Sequence, residues 1–423
     1  MANAFLKPIG GTSSITSGPS RNINQAVNKV NFGQSPNSIE HATGKATAAG
    51  RQRVTALLLC KSSRAAPFDA IPSANKHIKP MKTTNHYAKV ALLSLAVAMF
   101  TAMSARADTY SWTNFQSDIH GVAQHTDSNL VNPWGLAAGA TGTIWVSDNG
   151  TGVSTLYNQD GTVVPLVVQI PHSVSNTDGA NPTGTVFNDT TSFQVRKNGT
   201  AAPAVFIFVN EDGAISGWNP TLDSTHAIKA VDNGNRGAIY KGVTLGVANG
   251  SNFLYATNFH AGKVETYDQN FNRVNQNGFV DPNLPNGYGP FGIRNFNNQI
   301  YVTYAKQDAD REDDVACPGC GLVDVFDTSG NFLSRLIQRG NLNAPWGLAL
   351  VDDELWVGNF GDGLINVYDP TTGQFIETLT QADGTPLQFD GLWDLLPLGD
   401  GTYFTAGIAD EEHGLFGIIT EDK

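Results

Sequence analysis

The stretch Asn132 to Gly161 reads NPWGLAAGATGTIWVSDNGTGVSTLYNQDG, and Ala344 to Gly373 repeats its order of parts as APWGLALVDDELWVGNFGDGLINVYDPTTG. Each copy opens on Pro-Trp-Gly, runs through an apolar segment, and enters a second apolar run that ends in a polar, Gly-rich turn. An alternating segment ending in Tyr follows. Two copies of one unit far apart in a chain imply further copies between them.

Aligning on the opening small residue gives six starts: Asn132-Pro133-Trp134-Gly135, Asn181-Pro182-Thr183-Gly184, Tyr240-Lys241-Gly242-Val243, Gly289-Pro290-Phe291-Gly292, Ala344-Pro345-Trp346-Gly347 and Asp390-Gly391-Leu392-Trp393. Second strands are expected at 144–147, 205–209, 253–257, 300–304, 355–357 and 403–405. Third strands are expected at 153–157, 214–218, 263–267, 322–326, 364–368 and 415–419. The segments are short, rich in Val, Ile, Thr and Tyr, and broken by Gly, Asn and Asp, with almost no 3.6-residue period. A small twisted sheet cannot bury both faces alone, so the units stack radially. The predicted fold is all-β, a six-bladed β-propeller. The sixth unit ends after its third strand, and the orphan segment Asp108–Asp118 (DTYSWTNFQSD) is expected to supply the fourth and close the ring.

The propeller domain is placed at 108–423. Upstream, 81–107 reads as a signal peptide, with Lys82 and Lys89, an apolar run from Val90 to Met103, and Ala105-Arg106-Ala107 before the cut. The run is short of the roughly twenty residues a span needs, so an uncleaved anchor is the lesser reading. Residues 1–80 are read as a disordered leader, either a mis-assigned start or part of a two-step targeting signal. Export, to the periplasm or the cell exterior, follows from this reading.

Residues 1–107 hold 13 of the 26 Lys and Arg but only 2 of the 38 Asp and Glu, so 108–423 carries a formal charge of −23. That charge repels phosphate backbones and anionic lipid, which argues against nucleic acid and membrane-surface partners. A monomer that binds a small polar ligand or a protein partner is expected. Of three cysteines, Cys60 lies in the leader, and Cys317 and Cys320 form CPGC. A local disulfide is favoured there over free thiols or a metal site.

Turns between second and third strands share one mouth of a propeller channel with the inner-strand starts. The candidate ligand-binding residues there are Asp148, Asn149, Glu211, Asn258, His260, Lys306, Asn359, Asp362 and His413. His260 and His413 precede the glycine of matching turns and are candidate acid-base groups. Asp308, Asp310 and Asp313, in the longest turn (AKQDADREDDVACPGCG), could hold calcium or form a solvated acidic loop. Trp134, Phe291, Trp346 and Trp393 are read as packing between blades, with a sugar-stacking platform as the alternative.

The segments NPWGLA, VNEDGAISGW, TNFHAGKVETYD, DDVACPGCGLVDVFD, WVGNFGDGLINVYD and FTAGIADEEHGLFG together resemble a family of exported bacterial proteins related to NHL-type six-bladed propellers, over Asn132 to about Ile419. The resemblance implies fold and export and leaves activity open. Cys317 and Cys320 depart from its pattern. The alternative function is that of a calcium-dependent lactonase or esterase, similar to the gluconolactonase and paraoxonase propellers, which hold calcium in the channel. Glu211, Asn258, Asn359 and Asp362 would hold the metal, with His260 or His413 as base.

Overall fold

Six blades follow one another in the computed structural model, which describes residues 108–274 and 277–422; five are four-stranded and antiparallel, and the sixth adds a two-residue outer strand, His125–Thr126, parallel to its neighbour. The leader 1–80, the signal segment 81–107 and Cys60 lie outside the described residues. The first blade is built from Pro133–Ala138, Ile144–Asp148, Val153–Tyr157 and Val168–Gln169. The second comprises Pro182–Phe187, Phe206–Asn210, Ala214–Trp218 and Ile228–Asp232, and the third Tyr240–Ala248, Ser251–Asn258, Lys263–Asp268 and Arg273–Val274. Tyr288–Phe296, Gln299–Lys306, Leu322–Asp327 and Phe332–Gln338 form the fourth, and Pro345–Val351, Glu354–Asn359, Ile365–Tyr368 and Phe375–Thr378 the fifth.

The sixth blade contains Leu392–Leu398, Gly401–Ala406 and Leu415–Glu421, and takes its fourth strand, Tyr110–Ser117, from the start of the domain. That strand runs antiparallel to the last one from Tyr110↔Glu421 to Ser117↔Leu415, with a bulge between Asn114 and Gln116. The closure expected from the orphan segment is therefore present. The expected second and third strands also fall within a few residues of their observed bounds. A hairpin, Gln194–Lys197 with Thr200–Pro203, is an addition to the second blade that the repeat pattern did not announce. Among the described residues no helix is long and apolar enough to cross a membrane.

Every inner strand breaks register near its start: between Pro133 and Leu136, Tyr240 and Gly242, Pro290 and Ile293, Pro345 and Leu348, and Leu392 and Leu395. The second blade does so between Pro182 and Thr185. A bulge re-aims the side chain it carries, and here it turns one residue per blade toward the channel. Thr405 donates its hydroxyl to the Trp134 carbonyl and Thr257 donates to that of Phe291 at 2.7 Å, which fixes the bulge of the next blade. The glycine that follows is required by crowding. A Cβ at Gly292 would stand 2.0 Å from the Trp346 carbonyl oxygen of the neighbouring blade.

These contacts correct the alignment of the sixth unit by one residue. The carbonyl of Trp393 meets Gly347 as that of Trp346 meets Gly292, so Trp393 holds the aromatic position and Asp394 the position of glycine. Gly391, taken for part of the repeat start, belongs to the preceding turn with φ +63.

Candidate functional site

The six bulged positions are Trp134, Thr183, Lys241, Phe291, Trp346 and Trp393. The four aromatic ones join Phe259 in a buried cluster, packed against Phe360. Trp134 stacks on Trp393 at 3.3 Å between centroids, and Phe360 stacks on Trp393 at 4.1 Å. All four are at most 6% exposed, so they offer no free face to a sugar and serve as a floor that closes the channel. Below the floor, an Arg294–Asp394 pair crosses the narrow channel.

Lys241 breaks this aromatic pattern. Its side chain is 1% exposed, and its ammonium donates to Glu211 Oε1 at 2.5 Å and Asp313 Oδ1 at 2.9 Å. It also lies 5.2 Å from the Trp134 ring centroid and 5.8 Å from that of Phe259. Burial alone would lower its pKa, but the Glu211 and Asp313 carboxylates outweigh that effect and hold it well above the ordinary lysine value. Lys241 is therefore a fixed positive charge and not a nucleophile, which would need a depressed pKa.

A belt of polar groups extends from Lys241 over the floor. Glu211 Oε2 accepts from Asn149 Nδ2 at 2.8 Å. On the other side, Asn132 accepts from the Trp393 indole at 2.9 Å and donates to Glu411 Oε2 at 2.7 Å. Burial raises the Glu411 carboxyl, Asn132 opposes the rise, and the charge of Glu211 adds to it. Burial pushes the Asp314 carboxyl up to about 7, with Lys241 opposing and Glu411 and Asp313 adding. Its Oδ2 is buried without a hydrogen-bond partner. The indole N–H groups of Trp134 and Trp346 are likewise unpartnered.

Beside this belt opens a cleft of about 560 Å³. Glu211, Asp212, Glu312 and Asp313 line it together with His260 and the backbone at Gly237–Ile239. Asp212 is engaged on both oxygens, by the Ser173 and Ala214 amides. His260 Nδ1 is buried and unpartnered at the wall.

Of the residues picked from the sequence, Asn149, Glu211, His260 and Asp313 are thus gathered at one side of the mouth. Asp148 is fully buried in the first blade, where its Oδ2 accepts the Thr155 amide at 2.8 Å and burial raises its pKa well above normal. Lys306 is exposed. His413 pairs through Nδ1 with Asp118 at 2.7 Å, and its turn belongs to the sixth blade, across the ring from the third-blade turn of His260. Cys317 and Cys320 are joined by a disulfide.

The residues proposed for calcium do not fit one ion. Asn258 donates to Glu265 and accepts the Ala261 amide. Asn359 accepts the Asn343 amide and donates to the Asn341 carbonyl. Asp362 accepts from the Leu364 amide and the Asn343 side chain. Glu211 is bound to Lys241. In the long turn, Asp313 faces Lys241, Asp308 accepts the Glu312 amide at 2.9 Å, and Asp310 is exposed. Among the described residues no group of three His, Cys, Asp or Glu is placed to hold a metal ion.

With the geometry in hand, the chain can be set beside known proteins. It is 31% identical over 324 residues to the uncharacterized protein L690 of Acanthamoeba polyphaga mimivirus, a match covering 73% of this chain and 84% of that one. The chain belongs to the L690 family. The uncharacterized protein R648 of the same virus is 29% identical over 316 residues, covering 71% and 78%. Both of these relatives are proteins of that virus. No family profile matches the chain. Among solved structures, virginiamycin B lyase from Staphylococcus aureus aligns with TM-score 0.45 and 15% identity over 74% of this chain and 99% of that one. The gluconolactonase XC5397 from Xanthomonas campestris aligns with TM-score 0.43 and 14% identity, over 70% and 87%. Likeness at this level concerns the fold, and no chemistry is taken from it.

Lys241, Glu411 and Asn132 escaped the reading of the sequence as site residues, whereas Asp314 figured only as one of the carboxylates of the long acidic turn. In the alignment read from the sequence Lys241 falls where other repeats carry Pro; Tyr240 pairs with Asn258 as Pro133 does with Asp148, which shifts the third unit by one residue and puts Lys241 at the position of Trp or Phe.

Proposed function

We propose that this L690-family propeller binds a small, donor-rich ligand bearing an amine in the cleft beside Lys241. The observation that carries the reading is the charge of the wall. Glu211, Asp212, Glu312 and Asp313 line the cleft, and the buried ammonium behind them is already shared by Glu211 and Asp313. An anion there would meet uncompensated carboxylates, each close pair costing about 4 kcal/mol near a surface. An amine gains the same interactions, and His260 offers a further polar contact.

Calorimetric titration with small primary amines, neutral polyols and dicarboxylates tests the reading. Saturable binding of an amine, weakened at least tenfold in the Glu312→Gln variant, is expected. Tighter binding of a dicarboxylate would sink it, and a response to polyols alone would replace the amine with a neutral ligand. Assaying lactone and ester substrates alongside checks the hydrolase alternative. Export after cleavage before Asp108, kinship to NHL-type propellers and a monomeric state belong to the same proposal. N-terminal sequencing of secreted protein tests the first of these.

A further inference from the structure

The acidic mouth of the channel contains a cation of its own. We infer that Lys241 takes the place a divalent metal ion would occupy, so that the mouth is metal-independent and Lys241 is the residue that bars calcium from it.

Three observations support this. First, Glu211 and Asp313 come from the turns of the second and fourth blades, yet their oxygens converge on one point, 2.5 and 2.9 Å from Lys241 Nζ. Oxygen ligands from separate turns meeting at one point also describe a calcium site, where they stand at about 2.3–2.6 Å. Ammonium and metal would compete for that point. Second, the ammonium is buried, with its stem inside the inner-strand bulge and its head against Trp134 and Phe259. It cannot swing into water to make room without exposing that packing. Third, two further carboxyl groups, Glu411 and Asp314, stand near enough that the Lys241 charge opposes the rise that burial imposes on each. An acidic cluster of this kind needs a cation, and the third blade supplies one from the position that elsewhere holds an aromatic ring. The ammonium neutralises charge that a site of the calcium-dependent kind would leave to the metal.

This inference stands apart from the amine ligand, because metal content and ligand binding are read separately. The test compares full-length wild type with the Lys241→Met and Lys241→Met/Glu211→Gln variants. Bound metal is measured after dialysis, and melting temperature is measured in EDTA and in millimolar calcium. Wild type should hold no stoichiometric divalent ion, and its melting temperature should be the same in both buffers. Lys241→Met should melt about 5–10 °C lower in EDTA and regain much of the loss in calcium, with one ion bound. The double variant, with one anion removed, should recover stability in EDTA and respond less to calcium. A stoichiometric calcium in wild type that is lost in Glu211→Gln would overturn the inference, as would a Lys241→Met protein indifferent to calcium. If Lys241→Met does not fold in EDTA, refolding in calcium becomes the readout: recovery supports the inference and failure overturns it.

Discussion

Arg294 Nη2 donates to Asp394 Oδ2 at 2.6 Å, joining the fourth blade to the sixth across the channel. Asp394 stands where the other five inner strands carry glycine. It is 2% exposed, and its two oxygens also accept the Leu136 amide of the first blade and its neighbour Leu395, each at 2.8 Å. One carboxylate thus ties three blades next to the seam where the ring closes. Asp394→Ala leaves a half-buried guanidinium unpaired and two amides orphaned and should cost about 3 kcal/mol. Arg294→Met/Asp394→Ala should lose less than the sum of the single variants. Strict additivity in urea unfolding would mean that the pair is not coupled.

The closing strand should behave as a latch. Seven register pairs bind Tyr110–Ser117 to Leu415–Glu421, and Tyr110 meets Trp356 of the fifth blade edge-on at 5.4 Å. Removing residues 108–117 exposes a strand edge and the faces of Tyr403 and Phe416 on which Phe115 packs, so a large fall in melting temperature and aggregation are expected. A truncated domain that melts with the full one would show that the ring closes without it.

The six-fold array was legible because its signals are local. Pro-Trp-Gly recurs, strands alternate, and turns carry Gly and Asp, so strand order and the origin of the latch could be read directly. The site was less legible because side-chain direction there depends on bulges and on partners distant in sequence. Lys241 becomes a site residue only once the bulge aligns Tyr-Lys-Gly with Pro-Trp-Gly. Asp394 was hidden by Gly391, a turn glycine that mimics the repeat. His413 looked equivalent to His260 by turn position, but Asp118, at the far end of the domain, captures it. In the acidic turn, nothing local distinguishes Asp313 and Asp314, which face Lys241 and the buried belt, from Asp310, which faces water.

Inner-strand crowding gives a sharper test than any surface change. A Cβ at Gly292 meets the Trp346 carbonyl oxygen at 2.0 Å, whereas at Gly121 nothing lies within 4 Å. Because the obstacle is backbone of the next blade, it cannot move as a side-chain tip would. Gly292→Ala should destabilise by about 3 kcal/mol or more. A Gly292→Ala protein within about 0.5 kcal/mol of wild type in urea unfolding would show that the blades can spread.

The raised Asp314 carboxyl makes stability depend on pH in a direction opposite to that of a salt-bridged aspartate. Folding lifts it from the ordinary 3.8 to about 7, with burial first among the causes. Between about 4 and 7 the folded chain therefore holds more protons than the unfolded one, and stability falls as pH rises. The contribution is complete below the unfolded value and lost above the folded one. The carboxyls of Asp148 and Glu411, which burial also raises, act with the same sign, so a wild-type profile alone cannot assign the effect. Asp314→Asn isolates it. The amide keeps the shape and never ionises beside Asp313 and Glu411, so wild type and variant should be nearly equal at pH 4. At pH 8 the variant should be more stable by on the order of 4 kcal/mol, the scale of a shift of about three pKa units. A difference that stays constant from pH 4 to pH 8 would mean that Asp314 ionises as freely in the fold as in the open chain.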